Sequence, residues 1–175
     1  MSQAEHPKGA LRTGNIADEL AQGQENLEVI VVSPARPIFE GDAHWVTVPA
    51  WTTIEEESLL PYGDDEVKIA VGQIGIWPGH APLVAALGSG LLRIGQGAEK
   101  VARFAVRGGF LKVGGSRVTI LVDNAVAEGE VDVAQVKEEL AATLAALRHP
   151  KSDAEFEELL DLRTWGEARL KLANA

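Results

Sequence analysis

Apolar positions recur along this chain at two different periods, and the change between them falls near residue 130. From Leu27 the texture is that of β-strands. Residues 27–33 are rich in Val and Ile and read as a strand. Ile38 and Phe39 form a short second strand, after which Glu40-Gly41-Asp42 reads as a turn. Residues 43–48 alternate, with Trp45 and Thr47 on one face and His44, Val46 and Val48 on the other, and Pro49 is expected to stop the strand. Further strands are predicted at 83–87, 91–94, 101–106, 110–113, 118–122 and 125–127. Glycine-rich breaks separate them at 88–90, 95–97, 108–109 and 114–115. Gaps this short exclude parallel crossovers between neighbours, which need a dozen or more residues. The body is therefore expected to be a β-sandwich of about ten short, mainly antiparallel strands over 27–129.

Beyond residue 130 the period becomes helical. Val133, Val136, Leu140, Leu144 and Leu147 lie three or four residues apart and form one apolar stripe. Asp132 is the expected N-cap, with Gln135 completing a capping-box pattern, and His149-Pro150 ends the helix. Ser152 and Glu155 repeat the pattern and open a second helix over about 153–171. Acids fill its first half, while Arg163, Arg169 and Lys171 lie in the second, as the helix dipole favours. A short loop between two amphipathic helices predicts an antiparallel α-helical hairpin over 130–175.

Composition and charge sharpen this division. The 175 residues are 46% hydrophobic but only 5% aromatic, so the core is expected to be aliphatic. The net charge of −10 is unevenly spread: residues 51–71 hold six acids against Lys68 alone. Those residues read as an insert, a β-excursion or hairpin with an acidic tip. Leu59-Leu60-Pro61-Tyr62-Gly63 marks its turn, and Val67, Ile69 and Val71 alternate like a strand. Residues 1–26 are polar and aperiodic, and read as a mostly disordered extension with a helical turn near 16–20. No basic stripe exists to neutralise phosphates, so nucleic acid is excluded as a partner. No apolar run approaches the ~20 residues that span a bilayer, and no signal or transit-peptide pattern opens the chain.

Candidate chemistry is sparse. There is no cysteine, and the four histidines (His6, His44, His80, His149) have no metal-ligand spacing. No serine sits in a nucleophile elbow, and the glycine-rich pieces lack the lysine and hydroxyl of a phosphate loop. Neither catalytic residues nor a metal or cofactor are therefore expected. The most distinctive segment is Gly72-Gln73-Ile74-Gly75-Ile76-Trp77-Pro78-Gly79-His80-Ala81-Pro82-Leu83, whose glycines and prolines constrain the backbone path. It reads either as a sandwich corner with Ile76 and Leu83 plugging the core, or as a preformed contact loop with Gln73 and His80 as polar tips.

That segment resembles the signature of the F-type ATP synthase epsilon subunit. Three further stretches resemble the same family in order. The first is Val31-Val32-Ser33-Pro34 with Ile38-Phe39-Glu40-Gly41. The second runs from Phe104 to Val113 around Gly108-Gly109. The third is Val118-Thr119-Ile120-Leu121-Val122-Asp123, leading into Asp132-Val133-Ala134. The resemblance covers about 27–50 and 72–172. It implies a rotor part of the central stalk, bound to the gamma subunit and resting on the c-ring, at the cytoplasmic face of the bacterial inner membrane without inserting into it. It also implies that Gly72, Gln73, Ile74, Gly75, Pro78, Gly79 and His80 form the ring-contact loop, with Gln73 standing where the family usually has an acid.

The hairpin would be the regulatory part, reaching the catalytic alpha/beta head and inhibiting hydrolysis weakly or conditionally. Of the family's Ile-Asp-x-x-Arg-Ala nucleotide motif this chain keeps Asp132, but Gln135 replaces the arginine, so nucleotide binding is not expected. Two other functions fit the pattern less fully. One is a stand-alone β-sandwich protein-binding module with a helical lid. The other is a sugar-modifying sandwich enzyme, for which no polar cluster is visible.

Overall fold

The computed structural model describes residues 26–55, 67–97 and 100–175. The expected turn at 59–63, the acidic tip of the insert and the extension before Asn26 lie outside the described residues. The strands are β1 (Leu27–Val32), β2 (Pro37–Ala43), β3 (Trp45–Glu55), β4 (Val67–Ile76) and β5 (Leu83–Ala86). They continue as β6 (Gly90–Gly95), β7 (Val101–Arg107), β8 (Phe110–Gly114), β9 (Arg117–Leu121) and β10 (Asn124–Ala127). A short 3-10 turn (Glu128–Glu130) leads to helices α1 (Val133–Ala146) and α2 (Asp153–Ala173).

The strands form two five-stranded sheets, in the orders β2-β1-β9-β8-β5 and β10-β7-β6-β3-β4. Every pair is antiparallel except β1 with β9, which the long intervening chain permits. Alternation along each strand sends one phase into the space between the sheets. Leu27, Val29, Val31, Val46, Val48, Ile76, Leu92, Ile94, Leu111 and Ile120 are fully buried there. Each contributes roughly 1.5–3 kcal/mol by leaving water. The core is aliphatic, as the composition predicts.

Two expectations are overturned. Glu40-Gly41-Asp42 is not a turn: these residues continue β2 and pair with Ile30, Val29 and Glu28 of β1. Cross-strand pairing outweighs the local turn propensity of Gly-Asp, and the chain changes sheet two residues later, at His44. Nor does Pro49 stop β3, which runs on to Glu55. In an extended residue the N–H and C=O point the same way. The Pro49 carbonyl accepts from the Gly88 amide at 3.2 Å, so its missing donor faces the β5–β6 link. The ladder to β4 loses nothing. That ladder continues unbroken from Val46–Ile76 to Glu55–Val67. Residues 51–55 and 67–71 thus form a two-stranded ribbon running past the end of β6, which pairs β3 only at Trp45–Thr47.

The capping boxes close only in part. Asp132 Oδ1 accepts from the amides of Ala134 and Gln135, but the Gln135 side chain donates to Glu139 instead of turning back. Ser152 Oγ accepts from the Glu155 amide, while the Glu155 carboxylate takes the Lys151 amide, one residue before the cap. Each helix still has an acceptor on its first turn, which is the larger part of the stabilisation.

Candidate functional site

The segment 72–83 divides into two structures. Gly72–Ile76 is the last part of β4, an edge strand, where the exposed Gln73 lies opposite Pro49. Ile74 packs against the core and Ile76 is fully buried, so the apolar residues here serve the sandwich. Gly75 is small for a reason: a side-chain carbon there would collide with the Trp77 ring that lies across it. The turn itself is 77–82. The His80 amide donates to the Trp77 carbonyl at 3.1 Å, and His80 Nδ1 lies 2.7 Å from the Ala81 carbonyl oxygen and donates to it. Pro78 is half-buried and Gly79 exposed at the tip. Gln73 lies four residues before Trp77, about 13 Å along the strand. It does not share a loop tip with His80.

A surface absent from the sequence reading lies on the outer face of the first sheet. Phe110 in β8 is directly opposite Leu121 in β9 and Ala86 in β5, and Leu121 is opposite Val32 in β1. An apolar row therefore crosses four strands, with Val84 beside it. Val84, Phe110 and Leu121 are 71%, 60% and 52% exposed, and a groove of about 300 Å³ runs along the row past Ser33 and Pro34. Contiguous exposed apolar area of this kind marks a protein interface. The sequence does carry its signal: Phe110 and Leu121 share the phase of Lys112 and Thr119, which the core-facing Leu111 and Ile120 exclude.

The hairpin lies on the outer face of the second sheet. Trp165, Ala168 and Leu172 of α2 cover Leu91 of β6 and Ala105 of β7. At one end of this contact Asp161 receives two hydrogen bonds. Ser89 Oγ donates to Oδ1 at 2.6 Å, and Arg107 Nε donates to Oδ2 at 2.7 Å. Helix α1 rests on α2, with Leu140 against Gly166. Arg169 donates to Glu139 at 2.7 Å and stacks on Trp165, 4.9 Å from the ring centroid. The linker is tied back as well: Arg36, in the β1–β2 turn, holds both oxygens of Glu130. With Arg163 paired to Glu167, two of the three cations of the second half of α2 are engaged within the hairpin.

The Arg169 hydrogen bond, aided by Gln135, holds the Glu139 carboxyl below its ordinary value. Its contribution to the α1–α2 contact is therefore full above the unfolded carboxyl pKa, about 4.3, and is lost as pH falls through the depressed folded value. Hydrogen exchange in α1 is expected to accelerate below about pH 4 relative to the intrinsic rate. The Glu139→Gln variant, which has no charge to lose, should lack that step. An identical pH profile for both would contradict the assignment.

Comparison with known proteins decides the family. The family model of the ATP synthase delta/epsilon chain beta-sandwich domain matches residues 66–144. The ATP synthase epsilon chain of Synechococcus elongatus is 30% identical over 150 residues, covering 86% of this chain and 95% of its own length. That of Leptospira borgpetersenii is 34% identical over 115 residues, 66% of this chain and 75% of its own. This chain belongs to the ATP synthase epsilon family. Among solved structures, a chain of the Euglena gracilis mitochondrial ATP synthase, in a complex with OSCP, F1 and c-ring, has the same fold. Its TM-score is 0.64 at 19% identity, over 98% of this chain and 91% of that one.

Within the family frame, Asp132 acts here as a helix cap, and Gln135 binds Glu139 where the family's nucleotide motif has its arginine. Among the described residues there is no group of three metal-ligating side chains, and no helix is long and apolar enough to cross a membrane.

Proposed function

We propose that this chain is the non-catalytic rotor subunit of a proton-translocating ATP synthase, joining the gamma subunit to the c-ring at the cytoplasmic face of a bacterial membrane. The single observation that carries this reading is the apolar row Val32–Leu121–Phe110–Ala86 on a sheet whose inner face is already packed. In a protein of the epsilon family, gamma is the partner that such a row suits. The strand end at Gln73 and the turn through Pro78, Gly79 and His80 are the ring contacts in this reading. Gln73 offers hydrogen bonds there in place of a charge. The reading takes the chain as a sandwich body over 27–129 with an acidic insert at 51–71, followed by a regulatory hairpin over 130–175. The hairpin pairs Arg163 and Arg169 with its own carboxylates while docked, which limits what those two can offer an acidic surface on the catalytic head. Co-purification with gamma tests the proposal. A stand-alone module with a helical lid would retain no gamma.

A further inference from the structure

Basic side chains gather on the outer face of the second sheet with little acid among the described residues to balance them. Arg93 of β6 and Arg103 of β7 are direct cross-strand partners. Leu92, Ile94 and Phe104 point into the core, so both arginines face outward. Like charges placed opposite one another destabilise a sheet. Glu128 reaches Arg103 only at 3.9 Å, and among the described residues Arg93 has no carboxylate within 4 Å. Lys171 of α2 borders the same cleft, which measures about 490 Å³ and takes its apolar wall from Trp45, Leu91 and Val101. The Trp45 ring lies over Gly95, where any side chain would collide with it, so this wall is built into the sheet.

The cleft opens at the end of the sandwich where the chain enters β1. Leu27 pairs with Ala43, and Trp45 follows two residues later, so Asn26 stands within about 16 Å of the Trp45 backbone. The β6–β7 connection is at the same end, since Gly95 pairs with both Trp45 and Val101. The stretch just before Asn26 has the complementary composition. Residues 16–25 hold Asp18, Glu19 and Glu25 and no base, with the apolar Ile16 and Leu20 flanking the first two acids. Leu20 is six residues from Asn26, a reach of about 20 Å when extended, which is enough to meet Trp45. A tether this short holds the segment at roughly millimolar effective concentration, so a modest contact keeps it seated.

We propose that residues 16–20 of this same chain dock in the cleft, with the carboxylates of Asp18 and Glu19 on Arg93 and Arg103 and Leu20 against Trp45. Two adjacent acids supply the counter-charge that the cross-strand arginines lack, and a guanidinium fork suits a carboxylate. The like-charge pair across β6 and β7 is then a cost in stability retained for an intramolecular contact. A second copy carries the same segment, but at micromolar protein the tether favours the chain's own by about a thousandfold.

The chain has no cysteine, so Gln22→Cys gives the full chain a single site for a nitroxide label. Paramagnetic broadening of backbone amides at low salt is the readout. Broadening is expected to concentrate at Arg93 and Arg103, well above that at Ser116 and Arg117, which lie beside Glu28 at the same end of the first sheet. A segment that did not dock would broaden both corners alike. In the Asp18→Asn, Glu19→Gln variant, and in Arg93→Gln, Arg103→Gln, the docked population should fall at least about tenfold, as loss of a charged hydrogen bond requires. High salt should have the same effect, because the contact is exposed. The acid variant leaves the sandwich untouched, so its loss of broadening cannot be assigned to misfolding. Equal broadening at the two corners overturns the proposal, as does a pattern that neither variant changes. Labelled chain mixed with unlabelled, isotope-enriched chain should show no broadening at Arg93 and Arg103. Broadening there would make a second copy the occupant and overturn the intramolecular contact.

Discussion

Gly109→Ala is expected to be the most damaging single substitution in the sandwich, costing about 4 kcal/mol or more. Gly108 and Gly109 carry the chain from β7 in one sheet to β8 in the other, with φ of 61° and 110°. A methyl group at Gly109 would lie inside the van der Waals envelope of the Leu121 carbonyl and the Val122 backbone, and backbone cannot rotate away. The left-handed conformation adds a further 1–3 kcal/mol for a residue with a side chain. The Gly109 carbonyl also accepts from the Leu87 amide at 2.9 Å, so any shift to relieve the clash breaks the β5–β6 link. For a domain of this size, with a total stability of roughly 5–15 kcal/mol, the melting temperature should fall by on the order of 10 °C. A thermal melt that moves by only a degree or two would show that the corner is not held as described.

Asp161→Ala should have its largest effect elsewhere, on the hairpin. The Asp161 carboxylate is the shared acceptor for Ser89 and Arg107, and Ser89 is only 2% exposed. Truncation strands a buried hydroxyl and a half-buried guanidinium, at a cost of about 2 kcal/mol in docking free energy. The α2 amides should exchange about thirtyfold faster, while those of β8 and β9 in the far sheet stay unchanged. Uniform acceleration in both would mean that the hairpin and sandwich open together. No acceleration would mean that Trp165, Ala168 and Leu172 hold α2 without the clamp.

The elements themselves were legible because period 2 and period 3.6 are local properties. The strand through Val67, Ile69 and Val71, the caps at Asp132 and Ser152 and the stop before Pro150 all follow from neighbours in the chain. What was not legible depends on partners far away in sequence. The run of β2 through Glu40-Gly41-Asp42 depends on β1. Tolerance of Pro49 depends on which way its missing N–H faces. Asp161 reads as one more acid in an acidic half-helix until folding brings Ser89 and Arg107 to it. Gln73 and His80 lie seven residues apart in a single motif, yet Gln73 sits within β4 and His80 in the turn beyond it. The row through Phe110 and Leu121 is visible only when β8 and β9 are placed side by side, although each residue breaks the polar phase of its own strand.

The most direct test of the rotor reading is capture of the host's gamma subunit by the tagged full chain, set against the double variant Phe110→Glu, Leu121→Glu. Both residues are exposed, so the variant should fold, and its circular dichroism should match the parent. The account predicts one-to-one capture by the parent. It also predicts at least a hundredfold loss of affinity in the variant, since two central anchors of an interface contribute at least about 2 kcal/mol each. Capture of gamma undiminished by two glutamates on that face would contradict the assigned surface. A well-folded parent that retains no gamma would contradict the rotor assignment itself.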